Sequence, residues 1–380
     1  MQKIGGIGVK FHNYGTVLQL YALQEAVKSL GYEYEVINYS LSTHENIAQR
    51  LIRRVPQLLR HPSDAAQAFF LKFVMRHPVR VAKFEAFIEQ YINVGDQIYE
   101  SCADLESDIP DYDAFICGSD QIWNPHCYLN DPTFYLAFAP ESQRVSYAPS
   151  IGVSSIPDDK GEAMKSLIEG VTYLSVREQD GANIIKKLTG RDASVVLDPT
   201  LLLTADRWDE IASPPARDKP YILCYFLESD AYARKCVRQL ARQMNHDVVF
   251  ILLNYRDLLS LGIVKVPDGG PEDFLGLIKN ASLVCTDSFH ATVFSLQFQK
   301  PFYAFRRYVG SGPSQTFSRI ENLLATVNLS SRIVGRDTEV PKDPLKIDYS
   351  DLEVRLGGER EKSFKFLRAS LQSATRGEAI

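Results

Sequence analysis

Long apolar runs are missing from this sequence. No stretch reaches the roughly 18 uninterrupted apolar residues of a bilayer-spanning helix, so the chain is expected not to cross a membrane. The opening MQKIGGIGVKFHNYG has one lysine, no extended apolar segment and no small-residue cleavage site, which argues against a secretory leader. Positive charge is not in excess either: 42 basic residues face 47 acidic ones, for a formal charge of −5 and a pI near 5.9. That balance excludes the global basic field of a dedicated nucleic-acid binder. The six cysteines (Cys102, Cys117, Cys127, Cys224, Cys236, Cys285) form no C-x-x-C pair and adjoin no histidine cluster. Neither a disulfide framework nor a structural metal site is indicated, and reduced core thiols in a cytosolic protein are expected. No repeat of 20–50 residues and no low-complexity tract occurs.

What is present suits a two-core α/β protein. The chain has 380 residues, 45% of them hydrophobic, enough to fill two sizeable cores. Lys3–Val9 reads as a strand, Thr16–Leu30 as a helix closed by Gly31, and Tyr34–Tyr39 as the next strand, which together make a βαβ unit. Strands at Ala114–Cys117, Arg144–Ala148, Tyr173–Val176 and Ser194–Leu197 continue it as one doubly wound domain, assigned to 1–210. The Pro- and charge-rich Ile211–Pro220 reads as a linker. A second series follows in 221–345, with strands at Tyr221–Phe226, Val248–Leu252, Leu283–Cys285 and Phe302–Ala304. The tail, 346–380, is expected to be helical, broken at Gly357–Gly358 and able to pack back on the first domain. One segment breaks the alternation: 47–90 carries eight Lys/Arg against three acids, interleaved with apolar residues. It reads as a basic helical insertion, either a cap on the first domain or an interfacial patch for anionic lipid.

Ligands of open α/β sheets gather beyond the carboxyl ends of strands, so the loops there hold the candidates. In Lys10–Gly15, His12, Asn13, Tyr14 and Gly15, with Gln19 on the helix behind, could hold an anion or sugar hydroxyls, or simply form the turn. In CGSDQIWNP, Ser119, Asp120, Gln121 and Trp123 combine hydrogen-bonding groups with one flat ring, the mixture a carbohydrate face needs; the alternative is a cap with Trp123 in the core. Arg177 follows a strand at a helix start, where a guanidinium can fork onto a phosphate or carboxylate, or pair with Glu178 or Asp180 at the surface. In TDSFHA, Asp287 or Ser288 can cap a helix whose first turn holds His290. A bound phosphate there would favour the protonated imidazole, which makes His290 the candidate acid. Among Arg306, Arg307, Arg319 and Arg332, one or two could complete an anion pocket.

The segments KIGGIGVKFHNYGTVLQLYALQEAVKSLGY, DAFICGSDQIWNP, RVSYAPSIG, LSVREQDGANIIKKLTG with VLDPTLLL, and LVCTDSFHATVFSLQFQKPFYAF resemble the polysaccharide pyruvyl transferase family. They fall in order over roughly residues 3–332. The resemblance implies two Rossmann-like domains facing a cleft, glycosyltransferase-B-like. It further implies transfer of a pyruvyl group from phosphoenolpyruvate to a hexose, usually as a cyclic ketal, with phosphate released. Arg177 matches the family's SVRE-type arginine, and Ser288, Phe289 and His290 match its S-F-H or R-L-H segment. Some members carry Arg where this chain has Ser288, which leaves Arg319 as a substitute cation. Two cations, Arg177 and protonated His290, could serve the donor's carboxylate and phosphate; Asp120 could orient hydroxyls or act as base. No metal, nicotinamide or covalent cysteine is called for.

Two other readings share the architecture: a sugar-nucleotide-dependent glycosyltransferase and a non-catalytic carbohydrate-binding relative. The acceptor is expected to be a hexose of a capsular or other surface polysaccharide precursor. If that acceptor is lipid-linked, 47–90 would bring the cleft to the inner membrane face.

Overall fold

The computed structural model describes residues 1–9, 12–40, 62–127, 130–228, 230–258, 262–309, 312–313, 317–338 and 343–377. The first sheet is built from β1 (Lys3–Ile7), β2 (Glu33–Tyr39), β3 (Val94–Tyr99), β4 (Ala114–Cys117) and β5 (Arg144–Ser146), all parallel, in the order β3-β2-β1-β4-β5. β1 reads KIGGI because its glycines lie under aromatic rings. A Cβ on Gly5 would enter the Tyr112 ring, and one on Gly6 would meet the Tyr34 hydroxyl.

The sequence reading places 173–197 in this same sheet, and here the structure differs. β6 (Ser175–Val176) and β7 (Ser194–Val195) pair only with each other, around the helix Gln179–Thr189, and reach β5 through a single bridge from Tyr173 to Val145. This short pair sets the ends of two loops side by side.

The second sheet contains β8 (Tyr221–Tyr225), β9 (Asp247–Ile251), β10 (Val264–Val266), β11 (Leu283–Thr286) and β12 (Phe302–Phe305). After a short antiparallel pair, β13 (Tyr308–Val309) and β14 (Gly312–Pro313), its last strand is β15 (Ile333–Val334). Its order, β10-β9-β8-β11-β12-β15, is the doubly wound 3-2-1-4-5-6 pattern. β3 escapes the sequence reading because it is largely exposed, and β10 and β15 because they are short and partly exposed, so their alternation is weak.

One apolar cluster runs from the first sheet through a joint to the second. At the joint the Tyr14 ring stacks on Phe274 with centroids 4.4 Å apart, and its hydroxyl donates to the Gly269 carbonyl at 2.8 Å. The buried Arg80 guanidinium lies over the Tyr14 and Phe84 rings, at 4.5 and 4.7 Å, and donates to the carbonyls of Gly269 and His12. Lys83 pairs with Asp273 at 2.8 Å.

The insertion is therefore not a cap on the first domain alone. Its helix Pro78–Tyr91 clamps the joint, and its helix Pro62–Met75 sends Phe70 and Val74 into the core of the second sheet. Arg50, Arg53, Arg54 and Arg60 lie outside the described residues. The tail forms one continuous helix, Leu352–Ala374, that passes through Gly357 and Gly358 unbroken. Packing overrides the glycine propensity there: Leu356, Leu367 and Leu371 are buried in the shared cluster, Ser363 accepts the Leu197 amide at 2.9 Å, and Arg360 donates to the Leu201 carbonyl at 2.7 Å. Four cysteines are buried as expected, whereas Cys102 is half-buried and Cys127 is exposed.

Replacing Tyr14 with Ala removes the stacked ring and leaves the Arg80 cation without its aromatic face. Urea unfolding followed by circular dichroism is expected to show a loss of about 3–5 kcal/mol.

Candidate active site

In each sheet the winding reverses beside its first strand, between β1 and β4 in one and between β8 and β11 in the other. The loops leaving these switch points face each other. After β1, Asn13 caps the helix Tyr14–Ser29 by accepting the amides of Gly15 and Thr16. After β11, Ser288 caps the helix Phe289–Gln297 by accepting the amide of Ala291. The two helix starts touch: a Cβ on Gly15 would overlap the His290 imidazole. Glycine at 15 is what lets a histidine of the second half reach the first.

The centre of the site is Asp198, 1% exposed, in the turn after β7. Its Oδ2 accepts from Arg177 Nη1 at 2.6 Å and from Ser119 Oγ at 2.8 Å, with His290 Nε2 3.7 Å away. Its Oδ1 accepts from the amide and hydroxyl of Thr200, at 3.0 and 2.6 Å. Burial opposes the negative charge, but His290, Arg177 and the Thr200 hydroxyl outweigh it and hold the carboxyl well below its ordinary value of 3.8. Sequence reasoning quoted the D-P-T segment without assigning Asp198 a role. Asp-Pro-Thr reads as a turn cap, which it also is, since Asp198 caps the turn Pro199–Leu201.

Arg177 is buried, and its principal partner is Asp198, 21 residues on, rather than a surface pairing with Asp180. Glu178 is buried beside it, Oε2 lying 3.7 Å from Arg177 Nε, while Oε1 accepts from the Ser150 hydroxyl and the Gly152 amide. Burial disfavours the Arg177 charge, yet Asp198 and Glu178 raise its pKa above the ordinary arginine value. Among the described residues, Arg177 Nε and Nη2 and His290 Nε2 are buried without a hydrogen-bond partner. Unsatisfied buried cationic donors are costly, and an anion would satisfy them.

Two guanidinium groups lie near the Phe289 ring, with Arg177 4.6 Å and Arg319 5.8 Å from its centroid. Burial and the neighbouring Arg177 charge push the Arg319 pKa down to about 10, so it remains a cation at neutral pH. Arg177, Asp198, Phe289 and Arg319 border a cavity of about 350 Å³ that extends to Asn322, Thr326 and Glu359. Of the other arginines, Arg332 donates to the Lys346 carbonyl, Arg306 pairs with Glu321, and Arg307 lies 3.9 Å from Glu228.

The residues expected to face an acceptor divide. Asp120, at φ 69°, accepts the Thr16 hydroxyl at 2.7 Å and the Gln121 amide at 2.8 Å, and its charge acts on both Arg177 and Arg319. His12, Asn13, Asp120 and Gln121 are half-buried at the cleft; Lys10 and Phe11 lie outside the described residues. Four expectations need correction. Trp123 is 1% exposed, stacks on Tyr135 and donates to the Phe134 carbonyl, so it is core. Tyr14 belongs to the joint. Gln19 is fully buried and donates to the Thr16 carbonyl. Ser119 is fully buried against Asp198, where it fixes the carboxylate rather than meeting a sugar.

Asp198→Asn removes the closest counter-charge of the buried Arg177 cation and is expected to cost about 3–5 kcal/mol in urea unfolding. Because the folded-state pKa of Asp198 is depressed, its contribution is complete above about pH 5 and lost as pH falls below that. The melting temperature of the wild type should therefore drop more steeply on acidification than that of Asp198→Asn.

A search of curated proteins gives no match to this chain. Solved structures share its fold. The UDP-GlcNAc 2-epimerase from Methanocaldococcus jannaschii is 12% identical, with 97% of this chain and 99% of that chain covered at a TM-score of 0.53. The UDP-GlcNAc 2-epimerase from Neisseria meningitidis, solved bound to UDP-GlcNAc, is 11% identical, with 97% and 99% covered at a TM-score of 0.51. At such identities the likeness shows the glycosyltransferase-B-like fold of two Rossmann-like halves and nothing finer. The polysaccharide pyruvyl transferase family model matches residues 13–307, well over half of the chain, so this protein belongs to the polysaccharide pyruvyl transferase family.

Proposed function

We propose that the protein transfers a pyruvyl group from phosphoenolpyruvate to two hydroxyls of a hexose in a surface polysaccharide precursor, forming a cyclic ketal and releasing phosphate. The observation that carries this reading is the buried Arg177 guanidinium, anchored to Asp198 through Nη1, with Nε and Nη2 unsatisfied among the described residues beside a cavity that Arg319 also borders. Phosphoenolpyruvate carries a carboxylate and a phosphate on one small carbon frame. A pair of guanidinium groups bordering one cavity suits such a pair of anionic groups, and charge-assisted forks supply both affinity and orientation. Arg319 then supplies the cation that Ser288 cannot. The reading requires no resident metal or nicotinamide.

In the proposed reaction a proton is added to C3 of the enol, leaving positive charge at C2. One sugar hydroxyl attacks C2 and gives up its proton. The C2–O bond to phosphate then breaks, phosphate leaving with a proton, and the second hydroxyl closes the ring at C2 with loss of its own proton. Atoms balance without water or any oxidant. His290, with Nε2 facing Asp198 and Nδ1 against Gly15, is suited to give the proton to C3 or to the departing phosphate. Asp120 is the candidate to orient or deprotonate the attacking hydroxyl.

The test is to incubate the purified protein with phosphoenolpyruvate and a panel of galactosides, mannosides and N-acetylhexosamines, following product mass and released phosphate together. A mass gain of one pyruvyl ketal is expected, falling about 10²–10⁴-fold in His290→Ala. Loss of a charged hydrogen bond in Arg177→Ala should abolish measurable turnover, and Arg319→Ala should raise KM for phosphoenolpyruvate about tenfold or more. Gly15→Ala should lower kcat, because its methyl group displaces His290. No transfer to any acceptor, together with saturable binding of a sugar nucleotide, would overturn the proposal in favour of a glycosyltransferase.

A further inference from the structure

Among the described side chains of the helix Pro62–Met75, one face is tied to the second half of the protein. Phe70 and Val74 enter the core of the second sheet, while Gln67 donates to the Leu253 carbonyl at 2.7 Å and accepts the Tyr255 amide at 3.2 Å. On the opposite face, at helical spacing, lie Phe69, Lys72, Phe73 and Arg76, all exposed. Phe69 is 76% and Phe73 61% exposed, and no other aromatic side chain among the described residues is classed as exposed. In a protein that buries its aromatic rings so completely, two adjacent exposed rings mark a contact surface.

The charge on this face is one-signed. No acidic residue occurs between Asp64 and Glu85, whereas Lys72, Arg76, Arg80 and Lys83 fall within that span. Arg80 and Lys83 are engaged at the joint, so Lys72 and Arg76 are the cations left beside the two rings. A two-fold contact with a second copy would set these cations against their own kind. Protein interfaces also exclude lysine from their cores. Aromatic rings interleaved with cations on one exposed helix face suit a surface that is apolar within and anionic at its rim.

We propose that Phe69, Lys72, Phe73 and Arg76 dock the protein onto an anionic lipid bilayer, the rings entering at headgroup level and the two cations meeting lipid phosphates. The position of the helix supports this. Gln67 is tied to the chain directly after the carboxyl end of β9, the edge of the second sheet from which the site loops also leave. A bilayer under this helix would lie beside the cleft rather than behind it, as a lipid-linked acceptor requires. That last link rests on the proposed transferase reading; the docking itself does not.

The full-length protein is sedimented, without donor or acceptor, with vesicles of phosphatidylcholine alone and of phosphatidylcholine mixed with phosphatidylglycerol. Pelleting with the mixed vesicles only, weakened by added salt, is expected. Phe69→Ser with Phe73→Ser, and separately Lys72→Glu with Arg76→Glu, should each lower the bound fraction on the order of tenfold or more, with melting temperature unchanged. Phe73→Trp should shift its emission to shorter wavelength on mixed vesicles. Equal recovery in both supernatants, full binding by both double variants, or an unshifted Phe73→Trp spectrum would overturn the proposal. A change of oligomeric state in the serine variant would assign the face to self-association instead. Since no pyruvyl transfer is measured, failure here leaves the transferase reading standing, and vesicle binding without transfer in the ketal assay leaves docking standing.

Discussion

A carboxylate with almost no exposure must be surrounded by donors or it will not stay ionised, and Asp198 gathers its donors from segments far apart in the chain. Ser119 comes from the loop after β4 and Arg177 from the end of β6, while His290, from the helix after β11, approaches to 3.7 Å. Removing an ion pair from water costs several kcal/mol per ion and is offset only by close, well-satisfied geometry. Asp198 has that geometry on both oxygens. Arg177 is satisfied on one side alone, with Nε and Nη2 buried and without a hydrogen-bond partner among the described residues, and this asymmetry is what the proposed anion site rests on.

The pairing works only if the two halves are held in register, because His290 and Arg319 belong to the second half and Arg177 and Asp198 to the first. The Tyr14–Phe274 stack, the Arg80 bonds to the Gly269 and His12 carbonyls, and the tail helix bonded at Leu197 and Leu201 provide that restraint. Tyr14 and Gly15 are neighbours with opposite tasks. The first fills the joint with an aromatic ring, and the second leaves the space in which a histidine from across the cleft fits.

Much of this was legible before any coordinates. Alternating apolar runs announced two parallel sheets, and the rule that ligands gather at strand ends singled out Arg177 and His290. The clearest misses came from residues whose type suits more than one environment. Trp123, Tyr14 and Gln19 have the chemistry of a sugar-binding surface, but core packing claimed all three. Asp198 escaped notice because a turn-capping aspartate and an anion-anchoring aspartate look the same in one dimension. Gly357 and Gly358 read as a helix break, yet a buried leucine stripe carries the helix through.

Local order explains the division. Periodicity, caps and strand-end loops depend on neighbours within a few residues, so the amino-acid sequence by itself determined the element types, the α/β class and the family likeness. Which polar groups share one buried carboxylate, which second guanidinium lies near Arg177, and whether a basic insertion caps one half or clamps two depend on contacts between residues from 21 to 189 positions apart. Such contacts are selected by the free energy of burying the whole chain at once. Only the tertiary structure could decide them.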